Sequence, residues 1–178
     1  MLNSLKLVLS GLLFCLLMSC NKNVEQILSE EDQSFNESLD FWKELKNENG
    51  DSYMYSSTRS SVFGFGGTTD ITVIDNNVVK RTYQGFTTNE NTGEIVNTEE
   101  NYVEENEEVG TNEIGFAAMT IDDLYETCAS EYLTVSESDN LIYFETEPNG
   151  LISHCSFFPK NCQDDCSIGF TIHSFSFL

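Results

Sequence analysis

An apolar run from Leu7 to Met18 follows a head whose one charge is Lys6, and beyond residue 20 the apolar positions become spaced rather than contiguous. Phe35, Leu39, Trp42 and Leu45 recur at intervals of three and four, the spacing of one helix face. Ser34-Phe35-Asn36-Glu37 reads as a capping-box pattern and Asn49-Gly50 as a stop, so a helix is expected over roughly Glu30 to Lys46, with Trp42 as a core anchor. From Ser52 the period falls to two: Tyr53 and Tyr55 alternate with small polar residues through Val62, as in a half-exposed strand. Gly64-Phe65-Gly66-Gly67 reads as a loop, and it lacks the lysine and spacing of a phosphate cradle.

Strands at Asp70–Ile74 and Val78–Tyr83 flank Asp75-Asn76-Asn77, residue types that tolerate left-handed backbone, and predict a β-hairpin. Residues 87 to 113 hold nine Glu, many Asn and Thr, and no Lys or Arg; with so little apolar surface to bury, the stretch is expected to be a mobile acidic loop, with at most a short ribbon around Ile95 or Tyr102. Thr120 is the expected N-cap of a second helix, with Asp122 and Asp123 on its first turn and Ile121, Leu124, Tyr125, Cys128 and Tyr132 on its apolar face. Strands at Leu141–Glu145 and Leu151–Phe158 are joined by the β-turn Glu147-Pro148-Asn149-Gly150, and a last strand covers about Ser167 to Phe177.

The order is therefore helix, about three strands, acidic loop, helix, about three strands (α-βββ-α-βββ). Consecutive hairpins favour an antiparallel sheet, and two amphipathic helices need an apolar surface to cover. The expected fold is α+β, an antiparallel β-sheet with both helices packed on one face.

Charge narrows the partners. Eight Lys and Arg stand against thirty Asp and Glu, a formal balance of −22 at neutral pH. No nucleic acid is expected to bind, since a phosphate backbone demands a cationic surface. Such acidity favours solubility, or a cationic protein or peptide as partner. Thirteen Phe and seven Tyr nonetheless argue for a packed core rather than disorder.

The N-terminus has the three parts of a secretory signal: basic head, brief apolar core, small residue before a cut. The twelve residues of this run make roughly 18 Å of helix against about 30 Å of bilayer hydrocarbon, so a permanent span is not expected. Leu17-Met18-Ser19-Cys20 resembles the lipobox of bacterial lipoproteins, which implies cleavage before Cys20 and lipidation of its sulfur. Residues 1–19 would be the signal peptide, 20–29 a lipid-anchored tether, and 30–178 a single domain. Asn21-Lys22-Asn23 lacks the Asp that retains such proteins in the inner membrane, so the resemblance implies an outer-membrane site, on the periplasmic face or the cell surface.

With Cys15 lost in the leader and Cys20 acylated, Cys128, Cys155, Cys162 and Cys166 remain, an even set in an oxidising compartment and so two disulfides. Three pairings are open. Cys128 with Cys155 and Cys162 with Cys166 is the favoured one, and Cys155 with Cys166 the alternative. His154, His173, Asp164 and Asp165 lie among these cysteines, but the spacing is not that of paired zinc ligands, and the acidic stretch lacks the alternating oxygen pattern of a calcium loop. No metal, cofactor or catalytic residues are assigned. Hydrolase signatures such as GxSxG and HExxH are absent, and two histidines leave little for general-base chemistry.

Trp42 followed by Tyr53-Met54-Tyr55, the run Ile71-Thr72-Val73-Ile74-Asp75-Asn76-Asn77-Val78-Val79, and Thr120-Ile121-Asp122-Asp123-Leu124-Tyr125 followed by strands together resemble a group of small exported bacterial proteins and lipoproteins of unknown function. The resemblance covers most of residues 35 to 158; it implies the helix-sheet-helix-sheet order and no activity. The function expected is that of a lipid-anchored, non-enzymatic binding or interaction module. The alternatives are an exported hydrolytic or thiol-redox enzyme with dispersed residues, and a protein inhibitor presenting the Cys162–Cys166 loop.

Overall fold

The computed structural model describes residues 30–89, 91–164 and 166–178; the leader, Cys20, the tether and Asp165 lie outside them. Helix α1 (Glu30–Asn49) is followed by β1 (Tyr53–Ser60), β2 (Phe65–Ile74), β3 (Asn77–Thr88) and β4 (Ile95–Glu105), then α2 (Ile121–Thr127), β5 (Asn140–Thr146), β6 (Ile152–Pro159) and β7 (Ile168–Phe177). The class is α+β and mostly sheet. Its seven strands are ordered β4-β3-β2-β1-β7-β6-β5, each neighbour pair antiparallel. Two meanders, β1 to β4 and β7 to β5, thus meet along the first and last strands of the chain.

The observed order has four strands before the second helix rather than three. The extra strand, β4, lies inside the segment expected to be a loop. Backbone pairing accounts for it: β4 runs from Lys80↔Glu105 to Thr88↔Ile95 against β3, and a ladder of N–H and C=O groups requires no apolar side chains. Strand β2 also starts earlier than expected, at Phe65, because Gly66 and Gly67 are strand residues whose missing side chains leave room for rings. A Cβ on Gly66 would lie 2.6 Å from the tip of Phe86, and one on Gly67 would collide with the ring of Tyr83.

Other elements follow the pattern closely. Helix α1 stops where Gly50 turns left-handed at φ 89° and donates its N–H to the Lys46 carbonyl at 2.8 Å, although Ser34 and Glu37 lie inside the helix rather than at its start. Asp75 and Asn76, at φ 47° and 60°, make the β2–β3 turn. Thr120 caps α2 in a capping box with Asp123, and the helix then widens into one π-turn over Cys128–Tyr132.

Alternation puts Tyr53, Tyr55, Ile71 and Val73 into the core beside Trp42, Ile121, Leu124, Cys155 and Ile172. Both helices touch Tyr53. The Trp42 indole packs edge-on to its ring at 5.2 Å, and the Ile121 N–H donates to its hydroxyl at 2.9 Å. Ser38 of α1 and Tyr125 of α2 share a 2.7 Å hydrogen bond. Cys128 and Cys155, both fully buried, are joined by a disulfide that ties the end of α2 to β6.

Candidate functional site

Among the described residues, strand β4 ends the sheet and pairs only with β3. Its register carries an irregularity between Gln84 and Phe86 of β3, which pair with Asn101 and Asn97, so the residues between bulge over Gly85. A Cβ there would lie 2.7 Å from the Thr98 hydroxyl oxygen and 3.4 Å from a Glu100 carboxylate oxygen. Glu94, Glu99 and Glu100 are exposed along this strand and its approach, and Glu105 is bridged to Lys80 at 2.8 Å. Residues 95–105 of the acidic segment therefore form an edge strand, with Glu99 and Glu100 exposed on its opposite faces.

What fixes it is one arginine. Arg81 and Glu104 face each other across β3 and β4 and pair at 3.0 Å, with side-chain exposures of 3% and 2%. The guanidinium also donates to the carbonyls of Asn112, Ile114 and Phe116 at 3.0, 2.6 and 2.7 Å. Glu104 accepts from the N–H groups of Gly110 and Asn112 at 2.7 and 2.6 Å, from the Asn112 amide at 2.8 Å and from the Thr111 hydroxyl at 3.1 Å. Burial alone would raise the Glu104 pKa, but these N–H donors and Arg81 outweigh it and hold the group down at about 2. The pair thereby clips residues 110–116 to the sheet. Tyr102 stacks on Tyr83 at 5.4 Å, lies beside the Arg81 cation at 5.1 Å, and donates its hydroxyl to the Ile114 carbonyl.

The sequence reading missed this clamp, although a signal exists: Arg81 lies two residues before Tyr83, hence on the same face of β3, and a buried guanidinium demands a carboxylate. The expected first-turn carboxylates also divide their labour. Asp123 closes the α2 cap, whereas Asp122 accepts from the Trp42 indole at 2.9 Å and pairs with Lys46 at 2.5 Å.

The cysteine and histidine region is spread across separate places. Cys162 and Cys166 are joined in the β6–β7 connection, away from the core bridge. His154 is bonded through Nδ1 to the Thr171 hydroxyl at 2.8 Å and through Nε2 to the buried Ser156 hydroxyl at 2.7 Å. Burial lowers its pKa below 6.5, opposed by the charge of Glu145. His173 instead sits at the β7 bulge, where Ser56 and Ser57 of β1 face Ser174 and Ile172. It lines an open cleft of about 310 Å³ with Ser174 and the Glu147-Pro148-Asn149 turn. Ser174 donates to Ser56 at 2.9 Å, and Ser56 to Asp70 at 2.6 Å, a hydroxyl chain across three strands that does not pass through either histidine. Among the described residues no group of three or more His, Cys, Asp or Glu is arranged to hold a metal ion, and no helix is long and apolar enough to cross a membrane.

Cys20, the expected lipidation site, lies outside the described residues. Comparison of the chain with protein-family models, with curated proteins and with solved structures finds no match to any of them.

Proposed function

We propose that this chain is a lipid-anchored envelope protein, held through Cys20 to the outer membrane, that binds a cationic protein or peptide along the edge strand β4 and catalyses no reaction. In this reading both helices cover the sheet face that carries Tyr53, Tyr55, Ile71 and Val73, and leave the β4 edge open. The supporting observation is the edge itself: among the described residues no strand pairs with its outer side, and Glu94, Glu99 and Glu100 are exposed along it and its approach. An extended basic segment would find main-chain partners and opposite charge together. Another copy of this acidic chain would be repelled at the same edge, which is how exposed strands are kept from pairing with one another.

Binding of a lysine-rich peptide to the full chain, followed at low and high salt, tests the partner. Affinity should fall steeply with ionic strength and drop further in the Glu99→Gln/Glu100→Gln double variant. Binding indifferent to both would sink the electrostatic reading. The anchor has a separate test: intact-mass spectrometry of the membrane-extracted protein should show loss of residues 1–19 and acyl chains on Cys20.

A further inference from the structure

The β1–β2 connection projects large apolar side chains into solvent. Val62 is 74% exposed, Phe63 71% and Phe65 57%, and the adjoining start of β4 adds Ile95 at 62% and Val96 at 51%. The Thr88 N–H donates to the Gly64 carbonyl at 2.6 Å, so the two neighbouring hairpin ends are tied into one prow. Three of its N–H groups are bonded within the turn: Ser61 N–H reaches the Phe65 carbonyl at 2.8 Å, Gly64 N–H the Ser61 carbonyl at 3.1 Å, and Phe63 N–H the Ser61 hydroxyl at 3.2 Å.

We infer that this prow inserts into the interfacial layer of the lipid bilayer, giving the anchored domain a second membrane contact. The inference rests on the lipid-anchor reading above. Charge selects the occupant. In a chain with thirty Asp and Glu, residues 52–69 contain none, and their one charged residue is Arg59; the acid nearest the apolar side chains of the prow is Glu94, on its β4 side, next to Ile95. This hairpin is where an acidic molecule can meet a phospholipid surface with least repulsion. Satisfied backbone donors matter as well, because an unpaired N–H is costly to carry out of water. Size argues against a protein partner: taking a Phe ring as roughly 200 Å², the five side chains present on the order of 500 Å², short of the ~800 Å² per partner of a stable interface. Cys20 and Glu30 are ten residues apart, at most about 36 Å of chain, so an acylated Cys20 keeps the domain near the bilayer and a weak second contact suffices.

The test is the full lipidated chain carrying Phe63→Trp, reconstituted in phosphatidylcholine vesicles with and without brominated acyl chains. The introduced indole should shift to the blue on vesicles and lose emission to bromine, while the fully buried Trp42 keeps its own. Water-like, unquenched emission from that position overturns the proposal. A blue shift without bromine quenching that grows with protein concentration also overturns it, in favour of self-association. Mass spectrometry of the same sample reports Cys20 acylation independently: an acylated protein with no quenching refutes the insertion alone, and an unmodified Cys20 refutes the anchor beneath it.

Discussion

Arg81 and Glu104, 23 residues apart, form a fully buried ion pair in which the cation also holds three carbonyls of the segment leading into α2 and the anion holds two N–H groups of it. Removing either partner leaves a buried charge uncompensated. Arg81→Met should cost about 3–5 kcal/mol of unfolding free energy. Hydrogen exchange should then show residues 110–116 opening ahead of the rest of the sheet, and a variant whose loss is uniform across all strands would contradict the clamp.

The same pair sets an acid limit. Glu104 has its folded pKa lowered from the ordinary 4.5 to about 2, so its stabilising contribution is complete above 4.5 and disappears as pH falls through 2. Urea midpoints of wild type and Glu104→Gln should differ clearly at pH 7 and converge near pH 2. A constant difference across that window would mean that the carboxylate's charge is not what stabilises the segment.

The two bridges should contribute unequally. Cys128 and Cys155 are 27 residues apart and Cys162 and Cys166 only 4. Loop-closure entropy assigns about 3.5 kcal/mol to the first and about 2 kcal/mol to the second. Thermal unfolding of Cys128→Ala/Cys155→Ala against Cys162→Ala/Cys166→Ala should rank them in that order. Peptide mapping of the native protein should recover these two pairs and no Cys155–Cys166 peptide.

Trp42 is the chain's one tryptophan, and its indole N–H is satisfied by Asp122 at 2.9 Å, which also receives Lys46. Asp122→Ala leaves a buried donor without an acceptor and should cost about 1–3 kcal/mol. Trp42 fluorescence during urea denaturation reads the change directly. Asp123→Ala, which removes the carboxylate that accepts from the Thr120 N–H and hydroxyl at the start of α2, should cost less, about 1 kcal/mol.

Local pattern alone determined much of this molecule. The spacing of Phe35, Leu39, Trp42 and Leu45 marked α1, the left-handed pair Asp75-Asn76 marked the β2–β3 turn, and Thr120 with Asp123 marked the start of α2. In each case the cause lies within a few residues of its effect: a helical face, a positive φ, a capping side chain. The acidic stretch could not be read in that way. Glu104 looks like every other glutamate between 87 and 113 until β3 brings Arg81 opposite it, and Gly66 and Gly67 look like a loop until the rings of Phe86 and Tyr83 lie across them. Strand pairing at long range decided those residues, because a backbone ladder and one buried ion pair outweigh the low local preference of an acidic segment for order. The exposed glutamates of β4 and the apolar prow at the same end of the sheet are products of that pairing, since only the assembled sheet brings residues 62–65 and residues 95 and 96 to either side of Thr87 and Thr88.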